Sequence, residues 1–170
     1  MKNGKRILIP IDGTEFSSWL LARAMRLLER PGVSVTLMTV IEAPNDHGLD
    51  EALLLDPRHQ GARRELTRLR DYLLEKAIST DAELRFGDPA REILREIVAG
   101  QHDLILLATH GRIGLKKTML GSVAVKVLQS SPKPLILFRP LQRPDETLAP
   151  AESFDPVAFR RILVPLDGSK

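Results

Sequence analysis

From residue 5 to residue 138 short apolar runs alternate with segments of helical period, and no other feature restricts the fold as much. Residues 5–11, KRILIPI, read as a buried strand that ends at the polar turn Asp12-Gly13-Thr14. Over 16–30 the positions Leu20, Ala24, Leu27 and Leu21, Met25, Leu28 recur at helical spacing, and Pro31-Gly32 stops the helix. Residues 33–41, VSVTLMTVI, are β-branched and apolar, which predicts a second strand. Residues 43–57 carry no sustained period and read as a mobile connection. Leu66, Leu69, Leu73 and Ala77 then form the one-sided stripe of a surface helix over 58–79, with Arg63, Arg64, Arg68 and Arg70 on its solvated side. A short strand is expected at 82–86, at the sheet edge. Gly87-Asp88-Pro89 opens the next helix, with Asp88 as N-cap, Pro89 at the first helical position and Ile93, Leu94, Ile97 and Val98 as the buried face. The order β-α-β-α-β-α-β-α-β forces parallel pairing with right-handed crossovers and helices on both faces. The expectation is a doubly wound, Rossmann-like α/β fold with a five-stranded parallel sheet.

Ligands of such sheets bind beyond the C-terminal strand ends, where the strand order reverses. Two stretches lie on that side. One is the turn at Asp12. The other is 104–122, LILLATHGRIGLKKTMLGS, in which a continuous apolar strand ends at Thr109 and a glycine-dotted basic loop leads into a helix over 122–129 with Val123, Val127 and Leu128 buried. Ten residues separate His110 from Gly121, more than an ordinary strand-to-helix connection needs. Gly111, Gly114 and Gly121 allow close approach to the backbone, and Gly111, Gly121 and Ser122 offer amide donors where a helix N-terminus favours an anion. Arg112, Lys116 and Lys117 add positive charge. His47, His59 and His102 show no ligand spacing and read as surface residues.

Composition narrows the class. The formal charge is +3, from 25 basic and 22 acidic residues, with no basic tract, and only 4% of residues are aromatic, so the chain lacks the footprint of a nucleic-acid binder. There is no cysteine for disulfides or thiolate metal sites. The start MKNGKRILIPID is not a signal peptide, and no run is long enough to span a membrane. A cytoplasmic protein is expected.

After the last expected strand, Leu135–Phe138, the segment PLQRPDETLAPAESFDP holds four prolines and reads as a linker. Residues 161–169, RILVPLDGS, then repeat residues 6–14, RILIPIDGT, at an offset of 155, with six of nine positions identical. The expected organisation is one domain over 1–140, a proline-rich linker over 141–160, and over 161–170 the first strand of a second, truncated tandem copy. That strand is expected to pair with an exposed sheet edge.

With the strand ending in IPIDGT, the turn Gly87-Asp88-Pro89 and the motif ATHG-x9-GS at 108–122, the chain resembles the universal stress protein family. Nucleotide-binding members of that family carry G-x2-G-x9-G-[S/T]; here Gly111, the spacing, Gly121 and Ser122 match, and Ala108 stands at the first glycine. The resemblance implies the strand order 3-2-1-4-5 and ATP as the ligand; by its chemistry Asp12 can accept from a ribose hydroxyl or help hold Mg²⁺ through water. Adenine would lie against Pro10, Ile11, Asp12 and Val40. Ala108, His110, Gly111, Arg112, Gly121, Ser122, Val123 and Ala124 would lie near ribose and phosphates. It also implies a homodimer through the edge strand Leu135–Phe138 or the C-terminal strand, and a role in stress response through conformational or oligomeric change. No dedicated general base is recognisable, so no catalytic residue is assigned and hydrolysis is expected to be slow or absent. The alternative is a dimeric interaction module that binds no nucleotide. A third reading, an enzyme of the wider superfamily with an SGGxDS loop, is disfavoured because DGTEFSS follows the first strand.

Overall fold

The computed structural model describes residues 4–42, 57–109 and 121–138. Nine elements follow one another there: β1 (Lys5–Pro10), α1 (Glu15–Leu28), β2 (Val33–Ile41), α2 (Pro57–Glu75), β3 (Ser79–Phe86), α3 (Pro89–Ala99), β4 (Leu104–Ala108), α4 (Ser122–Ser130) and β5 (Leu135–Phe138). The strands form one parallel sheet in the order β3-β2-β1-β4-β5, as expected. In register, Ile7 of β1 faces Val35 of β2 on one side and Leu104 of β4 on the other. The expected strand at 161–166 lies outside the described residues.

Successive residues of a strand face opposite ways, so each central strand feeds two cores. Ile7 and Ile9 of β1, with Val35 and Leu37 of β2, pack against Leu20, Leu21 and Leu28 of α1 and Leu66, Leu69 and Leu73 of α2. Leu8 and Met38 face the other way, against Ile93 and Ile97 of α3 and Ala124 and Val127 of α4. The burial of β1 on both sides is why its sequence is apolar without alternation. Among the described residues no helix is long and apolar enough to cross a membrane.

Four local expectations are corrected. α2 stops at Glu75 and Ala77 leaves the apolar stripe: it sits exposed at φ 59° in the turn into β3. β3 is longer than expected, beginning at Ser79, because it pairs with β2 over eight positions, from Ser34↔Ser79 to Ile41↔Phe86. Val98 and Leu128 are 64% and 47% exposed, so the inward faces of α3 and α4 are narrower than their apolar spacing implies. His102, expected at the surface, is fully buried. It follows the end of α3 at Gly100, and its ring lies 2.8 Å from Glu96 of that helix.

Asp88 caps α3 as expected, accepting the Arg91 N–H at 2.8 Å, and its second oxygen meets Lys126 of α4 at 3.3 Å. The Arg91 amide bond foremost, and Lys126 after it, hold this carboxylate below its ordinary value of 3.8. The stabilisation by the ionised group is therefore complete above the unfolded value and disappears as pH falls through the lower folded one. Asp88→Ala should lower stability by about 1 kcal/mol at neutral pH. In urea melts that gap to wild type should close in strong acid; a gap independent of pH would show that the charge is not what caps the helix.

Candidate functional site

β1 lies at the centre of the sheet, and the chain leaves it toward the α1 side, whereas from β4 it leaves toward the α4 side. Neighbouring strands whose continuations part to opposite faces leave a crevice at their C-terminal ends. The sequence-predicted residues of β1 line its first wall. The Ile11 N–H donates to Met38 O at 2.8 Å, which extends the β1–β2 pairing past Pro10 and buries Ile11. Asp12, next in the chain, is exposed at the mouth.

One oxygen of Asp12 is committed to the turn. Oδ1 accepts from the Thr14 N–H at 3.1 Å, the Thr14 hydroxyl at 2.7 Å and the Ser17 hydroxyl at 3.3 Å. Thr14, the N-cap of α1, makes no side-chain cap bond of its own, so Asp12 orders the start of the helix from two residues upstream. Gly13 takes φ 75°, the left-handed conformation that lets the chain reverse between them. Oδ2 takes none of these three bonds. Asp12 can thus hold the turn with one oxygen and present the other to a ribose hydroxyl or to a hydrated cation. Thr14 and Ser17 were absent from the expected site; the spacing D-x-T-x-x-S is the signal that could have found them.

The second wall is built around Thr109. Its N–H donates to Phe138 O at 3.0 Å and its carbonyl accepts the Gly121 N–H at 2.9 Å. The two ends of segment 110–120 are thereby tied together, and Gly121 is what allows it: a Cβ there would lie 3.3 Å from the same carbonyl. The Gly121 amide, expected as an open donor, is used by the Thr109 carbonyl. Val125 is the first residue of α4 to find an acceptor within the helix, Gly121 O at 3.0 Å. The N–H groups of Ser122, Val123 and Ala124 are left without an intrahelical acceptor, at the positive end of the helix dipole. Ser122 is exposed, Val123 half-buried and Ala124 buried.

Val40 and Ala108 are half-buried, Val40 packed on the α3/α4 side and Ala108 on the α1/α2 side. The strand ends of β1, β2 and β4 and the start of α4 therefore gather Pro10, Ile11, Asp12, Val40, Ala108, Gly121, Ser122, Val123 and Ala124 at one end of the sheet. His110, Gly111 and Arg112, with Lys116 and Lys117, lie outside the described residues. Among the described residues no three His, Asp or Glu side chains converge as a metal site.

Known proteins share this fold. The universal stress protein YxiE of Bacillus subtilis is 27% identical over 147 residues, covering 79% of this chain and 98% of YxiE. The solved structure of UspA from Lactobacillus plantarum superposes with a TM-score of 0.68 at 23% identity, over 79% of this chain and 97% of that one. A universal stress protein from Archaeoglobus fulgidus, solved in complex with dAMP, superposes with a TM-score of 0.57 at 17% identity, over 81% of this chain and 98% of that one. The profile of the universal stress protein family matches residues 4–139, from the first described strand to just past the last. By its sequence over that whole span, and with a fold that superposes on its solved relatives, the chain belongs to the universal stress protein family.

Proposed function

We propose that the chain binds an adenine nucleotide, ATP with Mg²⁺, between the end of β1 and the start of α4, and acts in stress response through conformational or oligomeric change without rapid turnover. One observation carries the reading: Gly121 is tied to Thr109, which fixes the start of α4, where the Ser122, Val123 and Ala124 amides have no intrahelical acceptor, at the C-terminal end of β4, the neighbour of β1. Phosphates favour such a helix start. The residues fit the ligand: Pro10, Ile11 and Val40 supply apolar surface for a base, and Asp12 keeps one oxygen clear of its turn bonds. The dAMP complex of the A. fulgidus relative supports adenine as the base. His110, Gly111 and Arg112 would complete the phosphate side, and a homodimer through the β5 edge would be the assembly that responds.

Titration calorimetry with ATP and Mg²⁺, with mass spectrometry of small molecules released on denaturation, tests this directly. Saturable heat or a retained adenine nucleotide is the expected result; neither would exclude the reading in favour of a module that only binds proteins. Ala108 bears on the same choice, since it stands at the first glycine of the nucleotide motif. Ala108→Gly should leave ATP affinity unchanged or raise it severalfold, because it removes one methyl beside the crevice. A fall in affinity on that change would place the nucleotide away from β4.

A further inference from the structure

α4 reads SVAVKVLQS and carries a single charged residue, Lys126. Its place on the helix is electrostatically unfavourable. A cation is favoured near the last turn of a helix and disfavoured near the first, where the dipole is positive. Lys126 stands four residues after Ser122, and residues at that spacing lie one above the other on the same face. Both are exposed, whereas Ala124 and Val127 are buried. A helical side chain leaves the backbone pointing toward the N-terminus, so the Lys126 ammonium is carried back toward the end of α4 where the Ser122, Val123 and Ala124 amides have no intrahelical acceptor.

A cation held at that end calls for an anion, and Asp88 supplies it: Lys126 Nζ lies 3.3 Å from Asp88 Oδ2. Asp88 is the N-cap of α3, so the pair links the starts of two helices that lie on the same face of the sheet. The link is loose. Its length exceeds that of a well-formed charge-assisted bond. The Lys126 and Asp88 side chains are 62% and 43% exposed, and a surface pair of this kind contributes little stability and is exchanged at little cost. Nor does the cap depend on it, because Asp88 Oδ1 keeps the Arg91 N–H at 2.8 Å whatever Oδ2 meets.

On the reading that a nucleotide occupies the start of α4, we infer that Lys126 binds its phosphate chain and changes partners to do so, leaving Asp88 as the phosphates arrive. A flexible four-carbon stem that ends in a compact charge with three donors suits such a transfer. The amides at the helix start offer partial charges of fixed direction. The ammonium adds a full charge, which a chain of phosphates takes up more strongly than one exposed carboxylate does because it carries more negative charge.

Titration calorimetry with ATP and Mg²⁺ tests the exchange, because two variants break the same ion pair with opposite consequences. Lys126→Gln removes the phosphate ligand and should weaken ATP about tenfold, whereas Lys126→Arg, which keeps the charge, should stay within about threefold of wild type. Asp88→Asn preserves the cap, since asparagine caps a helix as well as aspartate does, and it releases Lys126. It should tighten ATP about threefold, and that gain should be lost when the change is combined with Lys126→Gln. A pair that only ties α3 to α4 would be loosened by either change. Weaker binding by both Lys126→Gln and Asp88→Asn would therefore overturn the inference, as would a Lys126→Gln protein that binds ATP like wild type. Both of these results leave nucleotide binding by the wild-type chain intact. A wild-type chain that binds no nucleotide defeats the site itself, and the role of Lys126 with it.

Discussion

Gly121→Val is expected to weaken adenine-nucleotide binding about a hundredfold while the protein stays folded. Gly121 sits at φ −59° and ψ 149°, a conformation open to any residue, so the backbone itself does not demand glycine. What demands it is the Thr109 carbonyl. It accepts the Gly121 N–H at 2.9 Å, and even the first carbon of a side chain would stand 3.3 Å from it. Alanine can be accommodated by a shift of a few tenths of an ångström, whereas the branched methyls of valine push the two residues apart and turn the start of α4. The amides of Ser122, Val123 and Ala124 then lose their alignment at the start of α4. Each charge-assisted bond to a phosphate is worth about 1.5–3 kcal/mol, so losing alignment of two of them costs on the order of 3 kcal/mol, or a hundredfold in Kd. One backbone hydrogen bond contributes only about 1 kcal/mol to stability, so the thermal transition should move little. Calorimetry on wild type, Gly121→Ala and Gly121→Val should give a graded series. Equal affinities for wild type and the valine variant would show that the nucleotide binds elsewhere.

The sheet was legible because its strands obey one strong rule. Strands buried on both faces are apolar almost throughout, as 7–9, 105–107 and, but for Thr36, 35–38 are, so their number and parallel pairing follow from alternation with helices. The half of the site carried by strand ends was legible for the same reason: Asp12 and Ala108 are fixed by where β1 and β4 stop. Where donors point was not legible. Gly121 reads as an anion ligand in sequence, but its N–H is used by Thr109, a partner twelve residues earlier that no local pattern indicates. Val98 and Leu128 have helical spacing to core residues, yet both are exposed. The width of a buried stripe depends on how closely α3 and α4 approach each other and the sheet, which spacing does not encode. His102 reads as a surface residue in sequence because it shows no ligand spacing; its burial depends on a carboxylate six residues away and on the space beside Gly100.

That space makes Gly100→Ala the most destabilising small substitution expected in this domain, at about 3 kcal/mol or more. Gly100 closes α3 at φ −75°, a conformation alanine adopts freely, so backbone strain is not the reason. A methyl group there would overlap both Glu96 Oε1 and His102 Nε2, and would stand 2.7 Å from His102 Cδ2. Those atoms form the 2.8 Å bond between the two side chains, in which the ring N–H donates because a carboxylate only accepts. Glu96 Oε2 in turn accepts from Arg85 at 3.1 Å, so the carboxylate is held from both sides. Neither residue can retreat to water: His102 is fully buried and Glu96 is 7% exposed. The ring already buries Nδ1 without a protein partner, so separating the pair would leave both of its nitrogens unsatisfied beside a buried charge. Gly61 supplies the opposite case. It lies within α2 with open space where its Cβ would be, so Gly61→Ala should stabilise the protein by about 0.5–1 kcal/mol through helix propensity alone. The same chemical change thus carries opposite signs at two helical glycines. Urea unfolding of the two variants beside wild type measures this, and a Gly100→Ala protein as stable as wild type would mean that the Glu96–His102 contact is not part of the folded core.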